Sequence, residues 1–247
     1  MATTQASMAT GQTTKATRPA SKVKPSQADG VGSSRGDRAG ARILDAAIAE
    51  LIESDGALEV AAVARRAGVS VGLPYRYFGT RSGLLVAVVE SFYDRLDAAV
   101  LHHVFPGKTW QERERVRTAA WVEFLFREPL APIVLGRLAR DAAVAGVELS
   151  RLDRAIESGA RNIARGQADG DLPPGRDPHL LAAAVLGGMR TSVAFALMWT
   201  SRPSRRRITE ELWAFVLGSV TGAATPSGRV TTTRAAGKAS PRPDTSG

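Results

Sequence analysis

The 247-residue chain has no cysteine. That removes disulfides and thiolate metal sites, and it suits a reducing cytoplasm. Histidine is scarce: His102, His103 and His179 are the full set. Neighbours on a helix point about 100° apart, so His102 and His103 cannot share a metal ion. They read as exposed residues near a helix end, and no metal site or cofactor is expected. Aromatic residues make up 6% of the chain while hydrophobic residues make up 44%. The core must therefore be built from Ala, Leu, Val and Ile, a mix that favours helix over sheet. No run of eighteen apolar residues occurs, so no membrane span is expected. The N-terminus has no apolar segment of the signal-peptide kind, and the expected location is the cytoplasm, at the nucleoid. Catalytic constellations are missing too, with no phosphate loop and no histidine beside a nucleophile motif. Asp141 and Glu157 each have an arginine four positions away, Arg137 and Arg161, and ordinary helix-surface ion pairs account for both carboxylates. The chain is not expected to be an enzyme.

Positive charge is abundant, at a net +9, but its position matters more than its sum. Residues 1–40 carry six Lys/Arg against two Asp, and residues 223–247 carry four against one, so the two ends hold +4 and +3 of the total. Residues 1–36 are Thr-, Ser-, Ala-, Gly- and Pro-rich with no apolar period and read as a disordered basic tail; residues 223–247 have the same character. Such ends solubilise a protein or grip phosphates without sequence preference.

Between them the apolar residues recur at helical spacing. Ile43, Leu44, Ala47, Ile48 and Leu51 form one stripe, ended by Ser54-Asp55-Gly56. Val60, Val63, Ala64 and Ala67 make a short second helix stopped by Gly68, and Ser70 is placed to cap a third that runs to Phe78. After Gly79, Thr80 caps a long fourth helix carrying Leu84, Leu85, Val88, Val89, Phe92 and Leu96. Further helices are expected over about 110–127, 131–145, 148–168, 177–199 and 205–222, with a break at Ala145-Gly146. The fold class is all-α, with about nine helices.

Residues 58–78 combine these pieces into a helix-turn-helix. Ala64 is small enough for the helices to cross closely, Gly68 can take a positive φ, Val69 buries in the angle, and the N-terminal end of the next helix meets DNA. Residues 60–89 contain Arg65, Arg66, Arg76 and Arg81 and no acid, whereas 43–59 hold five carboxylates. One stretch is thus purely basic, as a phosphate-facing surface should be.

The strings Arg42-Ile43-Leu44-Asp45-Ala46-Ala47, Val63-Ala64-Arg65-Arg66-Ala67-Gly68-Val69-Ser70, Tyr75-Arg76-Tyr77-Phe78 and Thr80-Arg81-Ser82-Gly83-Leu84-Leu85 closely resemble the DNA-binding domain of the tetracycline-repressor (TetR) family. The resemblance implies a DNA-binding domain over 37–97 and a ligand-binding and dimerisation domain over 98–222. It puts Ser70, Val71 and Gly72 where the recognition helix enters the major groove. Tyr75 then sits at the family's phosphate-binding tyrosine, Tyr77 replaces a common histidine, and Arg76 reaches a base edge or a phosphate. Thr80 and Arg81 lie at the start of the fourth helix, where Arg81 replaces the usual lysine. Two positions depart from the family pattern. Glu59 stands where a threonine usually caps the second helix and touches phosphate. Pro74 stands where leucine is common; with Ser70 as cap it would remove the first intrahelical bond and bias Leu73 away from the helix. A distorted, 3₁₀-like first turn is therefore expected.

In the same reading a small-molecule effector lies among the middle helices, with Phe92, Trp121, Leu125, Met189 and Phe195 as pocket candidates. Arg190 or Asn162 would be a polar anchor. Few polar residues interrupt this set, which favours an apolar or aromatic ligand. The last two helices are expected to form a homodimer, through the small residues Ala182–Gly188 and a stripe of Leu212, Phe215, Val216, Val220 and Ala223. The reading is a sequence-specific regulator, a repressor released from a palindromic double-stranded DNA operator when its effector binds. The alternatives are a non-specific architectural DNA binder working through the basic tails, or an activator on the same fold.

Overall fold

The computed structural model describes residues 30–222. Its helices are α1 (Gly30–Glu53), α2 (Val60–Ala67), α3 (Gly72–Phe78), α4 (Arg81–Val100), α5 (Trp110–Arg127), α6 (Ala142–Ala168), α7 (Pro178–Met198) and α8 (Arg205–Thr221). A π-helical turn, Ile133–Arg137, running into a 3₁₀ turn, Leu138–Arg140, supplies the ninth helical segment between α5 and α6. No strand occurs among the described residues. Helix α1 begins at Gly30, inside the segment expected to lack structure. Compactness divides the chain at Ala39–Gly40, and the larger body begins at Gly40.

Most helix ends follow from local chemistry. Thr80 caps α4 by accepting the Gly83 N–H at 2.9 Å, Thr109 caps α5, and Asp177 caps α7 by accepting from His179 and Leu180. Pro178 occupies the first position of α7, where a missing N–H costs nothing. Helix α5 stops at Arg127 because Pro129 drives Glu128 to an extended conformation, φ −81° and ψ 110°.

Two expected helix boundaries are corrected. The break at Ala145-Gly146 does not exist, because α6 runs through both residues. Gly146 is exposed there, at the modest cost of an interior glycine. The break falls earlier, at Asp141, whose side chain accepts the Ala143 N–H at 2.8 Å and so starts α6. Asp141 is thus a helix cap rather than an ion-pair partner of Arg137, which pairs with Asp55 in the α1–α2 turn. The Glu157–Arg161 pair does form, at 3.8 Å. The start of α3 is the second correction. Val71 holds the N-cap position and offers no side-chain bond, so Gly72 is the first helical residue. Pro74 is then the third helical residue, where the N–H has no intrahelical partner in any case. Leu73 stays in the helix and donates to the Ser70 carbonyl at 3.0 Å, which keeps a 3₁₀-type bond in the first turn as expected.

One apolar core runs from Ile43 in α1 to Val220 in α8 and includes Leu85, Phe92, Val122, Leu130, Val134 and Val193. The expected division at 97–98 falls near the end of α4, which packs on α3, α5 and α6. Helix α7 is long and apolar enough by composition to cross a membrane. Seven of its residues, among them Leu181, Val185 and Val193, are instead buried in this core.

The α3–α4 corner is the tightest joint near the helix-turn-helix. A methyl group on Gly83 would fall well inside van der Waals contact of the Phe78 carbonyl oxygen. Backbone cannot give way there as a flexible side chain would, so Gly83→Ala should destabilise the protein by about 1–3 kcal/mol. Gly72→Ala meets nothing within 4 Å and should leave the urea midpoint within error of the parent. Equal midpoints for the two variants would contradict this account of the corner.

Candidate functional site

The helix-turn-helix is built from small residues and one left-handed glycine. Ala62, Val63 and Ala64 are buried on one face of α2, Gly68 takes φ 64°, and its own N–H and that of Val69 close the helix onto Arg65 and Ala64. Val69, Leu73 and Phe78 pack partly buried against the core, and Pro74 is buried. These residues hold α3 so that the opposite face is free. Ser70, Val71, Gly72, Tyr75, Arg76 and Tyr77 are all exposed, as are Thr80 and Arg81 at the adjoining start of α4. The eight residues singled out from the sequence thus lie together on a short loop, one helix and the next helix start. Val71 is 53% exposed, an apolar contact surface of the kind that meets a thymine methyl. The Tyr77 ring leans on α1, about 3.5 Å from where a Gly40 methyl would lie.

The basic residues divide into two kinds. Arg66 turns back to α1, where it forms a bidentate hydrogen-bonded pair with Glu53 and lies 3.7 Å from Glu50. That pairing holds the Glu53 carboxyl below its ordinary range and raises the guanidinium. Arg66 is therefore a strut between α1 and α2. Arg81 donates its Nε to the Leu58 carbonyl at 2.9 Å, tying the start of α4 to the approach to α2. Arg65 and Arg76 are exposed. Glu59 sits at the α2 N-cap without making a side-chain cap.

A second site lies among α4, α5, α6 and α7, a cavity of about 180 Å³. Trp121, Leu125 and Met189 line it. The other two pocket candidates do not. Phe92 is fully buried, edge-on to Tyr93 and tilted against Phe124, and Phe195 is 60% exposed on the outside of α7. Both are bulky apolar residues at helical spacing, a pattern shared by core, cavity and outer surface.

The cavity is more polar than the sequence suggested. Glu114 accepts from Asn162 Nδ2 at 2.8 Å and pairs with Arg117. Arg151 of α6 bridges to Asp97 at 2.9 Å and Asp94 at 2.5 Å, both on α4. Arg190 donates to the Tyr93 hydroxyl at 2.8 Å and pairs with Glu148, which in turn accepts from Tyr93 at 3.0 Å. Burial raises the Tyr93 phenol above its ordinary value, Arg190 opposing the shift. Arg190 and Asn162 are both wall residues. The α5 wall was legible in principle: Trp110, Glu114, Thr118, Trp121 and Leu125 fall on one helical stripe.

Burial pushes the Glu114 carboxyl above its ordinary value, against the pull of Arg117 and Asn162. A carboxyl raised on folding binds more protons in the native state, so its contribution to stability falls as pH rises through the raised pKa. Glu114→Gln should therefore gain stability relative to the parent as pH rises above the ordinary carboxylate range in urea titrations. A difference that is flat with pH, or of opposite slope, would remove burial as the dominant influence on this group.

Residues 43–88 match the family described as bacterial regulatory proteins, tetR family. The chain is 32% identical over 149 residues to the HTH-type transcriptional repressor KstR of Mycolicibacterium smegmatis, covering 58% of this chain and 69% of that protein. Among solved structures it superposes on Bacillus subtilis FadR in complex with stearoyl-CoA, with a TM-score of 0.60 at 18% identity, covering 73% and 98% of the two chains. AibR in complex with isovaleryl coenzyme A and operator DNA superposes with a TM-score of 0.55 at 18% identity, covering 72% and 97%.

Proposed function

The chain belongs to the tetR family of bacterial regulatory proteins and is a DNA-binding transcriptional regulator; from that premise we propose that it is a homodimeric repressor released from a palindromic operator by a small molecule. The observation that carries this reading is the double role of α4. Its first turn borders the exposed α3 face, while Tyr93, Leu96, Asp97 and Val100 further along it line the cavity. Arg81 and Asp97 are about 24 Å apart along the axis, at 1.5 Å per residue, and a continuous helix carries a displacement over that distance. A second route runs through the π-helical turn: Leu135 lines the cavity, and the same turn presses Arg137 and Ile133 against Gly56 between α1 and α2.

In this mechanism Ser70, Val71, Gly72 and Arg76 read the major groove. Tyr75, Tyr77, Thr80 and Arg81 fix the register on phosphates. Effector binding displaces α4 by disturbing the Arg151–Asp94–Asp97 and Tyr93–Arg190–Glu148 groups. It releases DNA only because the effector prefers the arrangement that cannot span the operator. Relatives and neighbours support the reading at the level of their names: KstR is a repressor, and FadR and AibR were solved with acyl-CoA thioesters.

Dimerisation is assigned to α7 and α8, with a change to the expected surface. Leu212, Val216 and Val220 are buried within the protomer, and Ala223 lies outside the described residues. Ala182 packs against Gly159 of α6, and Phe215 lies where a Gly188 methyl would go, so the small residues of α7 serve packing inside the protomer. The outward face is a different stripe. Leu180, Ala184, Thr191, Phe195 and Met198 are exposed at helical spacing, with Trp199 and Phe215 beside them. This apolar band is the surface a two-fold partner would cover, setting the recognition helices roughly 34–36 Å apart.

Selection of bound fragments from random DNA should return a palindromic consensus. Tyr75→Ala should weaken binding to that consensus by about tenfold, the loss of one phosphate contact. Binding without any enriched motif, unchanged by Tyr75→Ala, would instead favour a non-specific grip through the basic ends. Phe195→Glu, which puts a charge in the outward band, should shift the protein towards monomer in sedimentation velocity and lower operator affinity in parallel. A variant that stays dimeric would move the interface elsewhere.

A further inference from the structure

Among the described residues, one polar side chain outside the aromatics is buried: Thr118, 2% exposed, in the middle of α5. A threonine inside a helix ordinarily bonds the carbonyl one turn back, and buried hydroxyls rarely go without a partner. Thr118 Oγ1 makes no hydrogen bond to any described residue. Nor is it sealed in, because the one side-chain polar atom among the described residues that is both sealed and unpartnered is Trp110 Nε1. The little surface the hydroxyl keeps therefore opens on the space its residue lines, the cavity among α4, α5, α6 and α7. Helix geometry agrees. Glu114 one turn before Thr118, and Trp121 and Leu125 one and two turns after it, are wall residues as well, so this stripe of α5 faces the cavity.

The charged groups of the wall are already matched to one another. Arg117 is paired with Glu114, Arg151 with Asp94 and Asp97, and Arg190 with Glu148. No wall cation is left to neutralise a carboxylate or phosphate, and a buried charge without compensation is heavily penalised. The two polar anchors expected from the sequence are engaged too: Arg190 donates to Tyr93 and Glu148, and Asn162 donates to Glu114. Much of the remaining wall is apolar, from Leu96, Trp121, Leu125, Ile163 and Met189. At about 180 Å³ the space is somewhat larger than the ~150 Å³ cavity that accommodates benzene.

We propose that the cavity takes a neutral, ring-sized apolar molecule with one oxygen, a ketone or an ether, which accepts a hydrogen bond from the Thr118 hydroxyl. The assignment rests on the regulator reading only for its consequence, release of DNA; the binding chemistry stands on the cavity itself. It gives Thr118, absent from the sequence-derived pocket residues, the part of the polar anchor expected of Arg190 or Asn162.

The test uses the full chain and two probes of one shape: acetophenone, and isopropenylbenzene, in which a methylene group replaces the carbonyl oxygen. Thr118→Val removes the hydroxyl and keeps the branched side chain. Acetophenone should bind this variant about 3- to 10-fold more weakly than the parent, the range of one neutral hydrogen bond, while isopropenylbenzene binds it equally or more tightly. Comparing each probe with itself across the two proteins cancels the difference in their hydrophobicity. Benzoate, charged and of similar size, should bind the parent more weakly than acetophenone. Thr118→Ser and Thr118→Ala differ from each other by the oxygen alone and repeat the comparison should the valine variant fold poorly. An acetophenone affinity that ignores the hydroxyl, an equal loss for both probes, tighter binding of benzoate, or no binding of any probe would each overturn the proposal. Operator release, followed in parallel, separates the two ideas. Acetophenone bound through Thr118 without release counts against the repressor mechanism and leaves the binding assignment intact; release that ignores the loss of the hydroxyl does the reverse.

Discussion

The Phe78 carbonyl oxygen lies so close to the first turn of α4 that position 83 has room only for a hydrogen atom. Three other contacts reinforce the joint: Thr80 capping α4, Gly79 ending α3 at φ 73°, and the Arg81 Nε bond to the Leu58 carbonyl. Together they make α2, α3 and the first turn of α4 one mechanical piece. Backbone against backbone is the stiffest contact a protein can offer, since neither side has a rotamer to change. A regulator that moves its recognition helix by moving another helix needs such a joint. The displacement then passes to DNA instead of being absorbed in side-chain rearrangement.

The far part of α4 is held differently. There the contacts are between charged and polar side chains: Arg151 to Asp94 and Asp97, and Tyr93 to Arg190 and Glu148. Such groups have alternative arrangements of similar energy, because a guanidinium released from one carboxylate can turn to water or to another acceptor. They flank a cavity whose remaining wall is apolar. The helix is thus rigid where it meets the exposed α3 face and adjustable where it meets the cavity, a distribution suited to a two-state element biased by a ligand.

The small residues of α7 illustrate how pattern and position differ. A run from Ala182 to Gly188 says that something approaches this helix closely, and that inference holds. It does not say whether α6, α8 or a second copy makes the approach. In the protomer α6 takes Ala182, through Gly159, and α8 takes Gly188, through Phe215. What is left exposed is a bulkier stripe from Leu180 to Met198.

The amino-acid sequence by itself determined the class of fold and the outline of the helix-turn-helix, though not the start of α3. Those features rest on interactions between residues a few positions apart: the left-handed turn at Gly68, the cap at Thr80, the apolar stripe of α1 and the exposed face from Ser70 to Tyr77. Local chemistry also contained the true start of α6, since Asp141 is an ordinary cap, but the more visible Ala145-Gly146 concealed it. Only the tertiary structure decided which bulky residues face a cavity, because Phe92, Trp121 and Phe195 have the same helical signature and entirely different surroundings. It alone turned Arg66 inward to Glu53 and paired Arg137 with Asp55. Each depends on groups distant in sequence, and their meeting is set by how whole helices pack.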